Sequence, residues 1–407
     1  MIIKIFIKKT TINMGVPGLF PFFQTKFPNY KTIIQPRKDG IPGLQKTSMD
    51  NVYLDGNAII HKVAQYVFKY GDLANRETIE SDSFDFNSKI LLVYERFYDA
   101  MMDIYNRFEN VKLLYIAMDG VCPLAKQSQQ RQRRYTAALE SSVLQTKVIS
   151  EDSTFTDVTS FTSSMISPGT MFMYELNYYL RLYIADTREN IPDLQIILDD
   201  SSNPGEGEHK IMDYIRNNHI EGTRHCIFST DGDLLILCMS IHISGMYLMM
   251  DINNKNKMQV CLMDATGTTA HLAEEFGVDI SKSSEEEIYR CIDDFTILSF
   301  LVGNDFFPKI KCLGKLARYL NDVVNTYTES IKRSTTRSSN VGRSTDTNTL
   351  SFRTKRTDNN IRPWKSHINI HGIYMFLYEY AKKEVDSIVN LSTRPSHETI
   401  DSKTGKD

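Results

Sequence analysis

Five short apolar runs, most of them closing on acidic residues, constrain this chain more than any other feature. They are NVYLD (51–55), KLLYIAMD (112–119), LQIILDD (194–200), HCIFSTD (225–231) and MYLMMD (246–251). A strand with one wet face alternates apolar and polar side chains. A strand in a parallel sheet covered on both faces reads as apolar nearly throughout. Between the runs lie stretches with helical periodicity at about 88–108, 126–142, 170–186, 206–218 and 233–242, and another near 292–302. Pro168 and Gly169 precede the third of these as a helix entrance. Strand and helix alternating in this way predict an α/β fold with a mostly parallel central sheet flanked by helices. The sequence shows no internal repeat.

The 407 residues suffice for one large domain or two ordinary ones. A formal net charge of -3 means that nucleic-acid binding would have to come from local basic patches, not from the chain as a whole. The six cysteines form no C-x-x-C pair, which argues against a zinc knuckle or a redox motif. Cys226 and Cys238 sit in apolar runs, as small buried hydrophobes in a reducing compartment do. The apolar stretch 234–250 is flanked by Asp231, Asp233 and Asp251 and broken by Ser240, His242, Ser244 and Gly245. That suits a helix, a turn and a strand better than a membrane span.

Residues 1–13 read as an N-terminal extension too short in its apolar run for a signal segment, with GVPGLF after Met14 opening the domain proper. The main α/β domain is expected over 14–325. A Ser-, Thr-, Asn- and Arg-rich linker follows over 326–365, then a short helical segment at 366–390 and a disordered tail at 391–407. A cytoplasmic location is expected, with the basic linker also compatible with the nucleus.

Asp55, Asp119, Asp231 and Asp233 stand at or just beyond strand ends, and Glu206 and Glu208 stand in the loop NPGEGEHK before a helix. In open α/β sheets ligands bind beyond the carboxyl ends of the strands, so neighbouring strands would bring these acids together. Carboxylates packed together raise one another's pKa, and a site with this many implies a cation or protonated acids. Oxygen donors without His or Cys favour Mg²⁺ or Mn²⁺. Two such ions about 4 Å apart suit in-line displacement at phosphorus. Taken singly, an aspartate after a strand is more often a helix cap or turn former, and for Asp199 and Asp200 that role suffices. The Glu-Gly-Glu and Asp-Gly-Asp spacings make the others harder to dismiss together.

Beyond the Asp119 strand, Lys126, Gln130, Arg133 and Arg134 fall at i, i+4, i+7 and i+8 of a helix and share one face. Such a face is usually just solvated. Beside an acidic strand end it can also hold a terminal phosphate or track a backbone.

The stretches MGVPGLF (14–20), YLDGNAIIH (53–61), AMDGVCPLAKQSQQRQRRYTAA (117–138), SPGTMFM (167–173), PGEGEHKIMDYIR (204–216), RHCIFSTDGDLLIL (224–237) and IDDFTILSFLVGNDFFP (292–308) resemble, in order, those of the Xrn-type 5′-3′ exoribonucleases. These sit within a broader group of metal-dependent nucleases that includes flap endonucleases, and the chain looks like a short or viral-like member. The resemblance implies a PIN/flap-nuclease-like fold with a helical C-terminal segment. It places the metal-binding and catalytic acids on Asp55, Asp119, Glu206, Glu208, Asp231, Asp233 and, as an addition, Asp305. The 5′-phosphate pocket falls on Lys126, Gln130, Arg133 and Arg134, and Asn57 and His61 line the substrate path, His61 stacking on the terminal nucleotide.

What the resemblance implies is a two-metal 5′-3′ exoribonuclease that uses Mg²⁺ or Mn²⁺ on 5′-monophosphorylated single-stranded RNA and releases mononucleotides, in RNA decay or processing. Relatives continue into a long second region that supplies a stacking tryptophan. Here the only tryptophan is Trp364, in RPWK, and residues 366–390 hold room for no more than the start of that region. A protein partner that completes the shortened region is the corresponding expectation. The alternatives are a flap-type DNA endonuclease or 5′ exonuclease acting on DNA, and a catalytically inactive RNA-binding homologue.

Overall fold

The computed structural model describes residues 16, 18–34, 47–73, 83–151, 161–254, 257–300, 303, 374, 376–378 and 381. These fall into two compact units. The first runs Leu19–His271, and the second includes Val16, Gly18 and the described residues from Leu272 onward.

In chain order the elements are α1 (Leu19–Lys26), β1 (Lys31–Ile34), β2 (Thr47–Ser48), β3 (Asn51–Asp55), α2 (Gly56–Phe68), α3 (Phe86–Tyr105) and β4 (Phe108–Glu109). Then come β5 (Leu113–Ala117), α4 (Leu124–Glu151), α5 (Met171–Asn190), β6 (Gln195–Asp199), α6 (Gly207–Asn218) and β7 (His225–Phe228). The last are α7 (Leu234–Ser240), β8 (Met246–Asn254), β9 (Lys257–Asp264), α8 (Ala265–Glu275) and α9 (Glu285–Phe300). Positions 374, 376–378 and 381 are helical, inside the segment expected to be so. The linker 326–365, the N-terminal extension and the tail lie outside the described residues, as does Trp364.

The main sheet has the order β1-β9-β8-β7-β3-β5-β6. From β8 through β6 every pairing is parallel. β9 joins β8, and β1 joins β9, antiparallel. β2 and β4 form a separate parallel pair. The five apolar runs are thus the parallel strands of a mixed sheet. The antiparallel pair β9 and β1 was not among the expected strands. Nor was helix α2, and α4 and α9 extend beyond the 126–142 and 292–302 windows.

Both faces of the parallel region are covered, which is why its strands are apolar throughout. On one face Val52, Leu54, Leu114, Ile116 and Ile196 join a buried cluster with residues of α2, α3 and α5, including Ile60, Phe97 and Leu176. The residues between them point the other way. Tyr53 and Tyr115 pack on Tyr214 of α6, with ring centroids 6.3 and 4.5 Å apart. Side-chain caps start five of the helices: Asp55 accepts from the Ala58 N–H, Asp85 from Ser88, Thr170 from Met173, Asp264 from Gly267 and Ser284 from Glu287. Thr170, directly after the Pro168-Gly169 entrance, is the cap of α5.

Candidate active site

The chain runs from β3 outward to β5 and β6, then returns to the opposite side of β3 for β7 and β8. The order reverses between β3 and β7, and a doubly wound sheet leaves a crevice at the carboxyl ends of such a pair. Asp55 is the last residue of β3, Asp119 follows β5 and Asp231 follows β7. Ser229 spans the crevice. Its hydroxyl donates to Asp55 Oδ2 at 2.8 Å and accepts from the Asp231 N–H at 3.1 Å. Asp231 Oδ1 accepts in turn from the Asp233 N–H at 2.9 Å, while the Asp233 side chain makes no cap to α7.

Asp119 is held from two sides. Asn57 Nδ2 donates to its Oδ2 at 2.9 Å, and the Gly207 N–H at the start of α6 donates to its Oδ1 at 2.7 Å. The loop carrying Glu206 and Glu208 is laced to the loop after β5. The Gly120 N–H donates to Gly205 O, and the Gly205 N–H donates to Val121 O, each at 2.9 Å. Two glycines make this lacing feasible. A Cβ on Gly120 would lie 1.7 Å from the Asn203 carbonyl oxygen, and Gly205 has φ of +109°.

Lys210 locks the same junction from beneath. Buried in α6, its ammonium donates to the carbonyls of Met118 and Asp200 at 2.8 and 2.9 Å and meets Asp199 Oδ1 at 3.0 Å. Nothing in the sequence pattern marks this role of Lys210, because the atoms it reaches lie at the ends of two other strands. Asp199 also accepts from Tyr115 and Asn203. Asp200 accepts from the Ser202 N–H and pairs with Arg181.

The electrostatics record how the acids crowd. Burial first, then the Asp119 and Asp231 charges, push the Asp55 carboxyl up to about 7, against hydrogen bonds from Ser229 and Ala58. Burial, then Asp231, Glu206 and Asp55, push Glu208 up to about 8. Asp119 is raised by burial and by Glu206, with the Gly207 N–H, Lys126 and Lys210 opposing. Five of the expected acids therefore feel one another across the crevice, and Asp233 is tied to the fifth through its backbone. Asp305 lies outside the described residues.

By chemistry this set fits a hard divalent cation. Its donors are carboxylate oxygens, Glu206 is buried and the other described acids half-buried, and Glu206 Oε1 has no hydrogen bond. By spacing it does not yet close. Among the described residues, no group of three or more His, Cys, Asp or Glu stands in position to hold an ion.

The basic residues open α4. Lys126 is not solvated: its ammonium lies 2.9 Å from Glu206 Oε2, with the two side chains 10% and 9% exposed. Gln130 and Arg133 are half-buried and Arg134 is exposed. His61 is half-buried on α2, and burial lowers its pKa. Asn57, expected on the substrate path, spends its amide on Asp119, since its Oδ1 also accepts the Asp119 N–H at 3.0 Å. No helix among the described residues is long and apolar enough to cross a membrane.

Comparison with known proteins gives matches along the chain. Residues 14–251 match the family described as XRN 5'-3' exonuclease N-terminus, and residues 285–349 match the Xrn1 helical domain. The 5'-3' exoribonuclease 1 of Saccharomyces cerevisiae is 29% identical over 316 residues, covering 73% of this chain and 19% of the relative. The 5'-3' exoribonuclease 1 of Homo sapiens is 30% identical over 319 residues, covering 73% and 17%. The 5'-3' exoribonuclease 2 of Gallus gallus is 28% identical over 382 residues, covering 77% and 39%. The chain thus spans well under half the length of these curated relatives. Among solved structures, the catalytic core of Rad2 in complex with DNA substrate aligns with 93% of this chain and 99% of its own. The TM-score is 0.36 and the identity 13%, too slight a likeness to bear on fold or function.

Proposed function

This chain belongs to the XRN 5′-3′ exonuclease family, and on that premise we propose that it hydrolyses 5′-monophosphorylated single-stranded RNA from the 5′ end, releasing mononucleotides. The observation that carries this reading is the crowding of half-buried Asp55, Asp119 and Glu208 at the β3–β7 crevice, each pushed upward in pKa first by burial and then by neighbouring carboxylates. A fold keeps mutually repelling acids in one place at a cost in stability. A cationic ligand offsets that cost.

Asp55, Asp119, Glu206, Glu208, Asp231, Asp233 and, by family position, Asp305 would hold Mg²⁺ or Mn²⁺, two ions in all. Bound there, such ions lower the pKa of water and offset charge on the phosphodiester. The chain's own groups supply position. Asn57 and the Gly207 N–H fix both oxygens of Asp119, and Ser229 fixes Asp55 against Asp231. Gln130, Arg133 and Arg134, with Lys126, present donors along one face of α4 to a terminal phosphate. That face gives the reaction its direction, because a phosphate held there sets the scissile bond one nucleotide from the end. His61 would stack on the terminal base.

The test is end chemistry. The purified full-length chain is mixed with 5′-monophosphate RNA, 5′-hydroxyl RNA and DNA of the same sequence, with and without Mg²⁺. Selective, Mg²⁺-dependent decay of the first, with mononucleotide products, is expected. Equal decay of both RNA ends would remove the phosphate-pocket role, and equal decay of DNA would favour a flap-type enzyme.

A further inference from the structure

We propose that Lys126 is an exchangeable counter-cation, which holds Glu206 while the acidic site is empty of metal and releases it to a divalent ion as its own charge turns to the substrate's terminal phosphate. The proposal rests on the reading of the acids as metal ligands given above. It concerns what one lysine does in two successive states of that site.

Three observations point to it. The Lys126–Glu206 pair, at 2.9 Å and about nine-tenths buried on both sides, has given up most of the hydration of two ions. Mutual attraction offsets that loss only where the remaining lone pairs are satisfied. They are not: Glu206 Oε1 is buried without a hydrogen bond, and His209 Nδ1 stands 3.9 Å from it. The pair is therefore a poor final state for Glu206.

Second, the same ammonium favours the ionised forms of Asp119 and Glu208. One monovalent charge is serving three carboxylates, and a divalent ion would serve them better. Third, Lys126 lies in the first turn of α4, one and two turns before Gln130 and Arg133 on the same face. A lysine's four-carbon stem moves its ammonium by rotamer change alone, with no backbone shift. The donors it would join for a phosphate are already beside it. Because metal and phosphate would draw on a single lysine, each should strengthen the other's binding.

Mn²⁺ binding to the full chain without nucleic acid, followed by calorimetry or by the spin resonance of free Mn²⁺, tests the exchange. Lys126→Met and Lys126→Gln remove the competitor and should bind Mn²⁺ about tenfold more tightly than wild type, within the usual range of site coupling. Arg134→Met, which removes an exposed cation from the same helix, should change affinity by less than about twofold. If the Met variant does not fold, the Gln variant keeps an N–H donor for Glu206. The gain in adenosine 5′-monophosphate affinity on adding Mn²⁺ should shrink about fivefold or more in Lys126→Gln. Unchanged or weaker Mn²⁺ binding in the Lys126 variants, or equal tightening in Arg134→Met, overturns the exchange and leaves the metal site standing. A wild-type chain that binds no Mn²⁺ overturns both.

Discussion

Asn57 and Asp119 hold each other twice, through an Asn57 Nδ2 donation to the carboxylate at 2.9 Å and an Asp119 N–H donation to Asn57 Oδ1 at 3.0 Å. Asn57 lies at the start of α2, directly after β3, and Asp119 lies just past β5, so the pair ties a helix start to the loop after the neighbouring strand. Asn57→Ala removes both bonds. It should cost about 1.5–3 kcal/mol in urea unfolding, the range for a hydrogen bond to a charged group. It should also lower kcat more than it raises KM, because a loosened Asp119 harms chemistry before binding. An Asn57→Ala enzyme with wild-type kcat would show that the second bond, from Gly207, suffices.

Lys210→Met should destabilise the fold by about 3 kcal/mol, since it strands Asp199 and two carbonyls around a buried cation site. Asp199→Asn should cost less. With the amide oxygen in the place of Asp199 Oδ1, Asn203 and Lys210 can still donate to it, and the new N–H can donate to the Tyr115 hydroxyl. Denaturant midpoints of the two variants side by side check the order, and an equal loss in both would contradict it.

In the metal-free protein, Asp55 and Glu208 have pKa values raised from 3.8 and 4.5 to about 7 and about 8. The folded state therefore holds these protons more tightly than the unfolded chain. The resulting stability is full below the unfolded values and is lost as pH rises through about 7 to 8. Chelated protein should melt at a lower temperature at the upper end of that window than below it. Asp55→Asn with Glu208→Gln should flatten the slope. A slope that persists in the double variant would assign it to other groups.

His225 works in the opposite direction. It is 1% exposed. It lies within 3.3 Å of Asn51, Tyr53, His219 and Thr223 side-chain atoms. Burial first, then the neighbouring His219, lowers its pKa from 6.5 to about 4, with Asp50 opposing. The unfolded chain takes up that proton first, so stability is present above 6.5 and is lost as pH falls through about 4. The loss amounts to something on the order of 3 kcal/mol. His225→Gln should start less stable at neutral pH and lose less on acidification. Chemical denaturation at several acidic pH values measures the difference.

Asp231→Asn combined with Asp233→Asn should abolish hydrolysis while circular dichroism stays that of the wild type. An amide oxygen introduced at position 231 can still accept the backbone N–H of residue 233, as Asp231 Oδ1 does at 2.9 Å. Retained turnover in this variant would remove both acids from the reaction.

How much of this was legible beforehand divides along physical lines. The parallel strands declared themselves because burial on both faces leaves them apolar for their whole length, and the acids at their ends followed at once. β1 and β9 did not, because their pairing partners are set by the sheet's edge and not by any local pattern. α2 was missed because Asp55 is both the last strand residue and the helix cap, so no turn separates the two elements. In the site, residue types and spacing marked the carboxylates and the basic helix face. They could not reveal that Lys126 faces inward to Glu206, that Asn57 serves Asp119, or that Lys210 bolts two loops together. Those roles depend on which distant atoms end up within 3 Å.

The Ser229–Asp55 bond that spans the crevice joins positions 174 residues apart. A chain emerging from the ribosome can pair β3 with β5, and β5 with β6, before β7 exists. Through that interval one side of β3 is an open edge with unpaired backbone groups, of the kind that recruits foreign strands. Assembly of the acid cluster thus waits for β7 to cover the open side of β3, ahead of β8 and β9. A slow or stalled translation product of this protein would be both inert and prone to aggregate until the returning strand arrives.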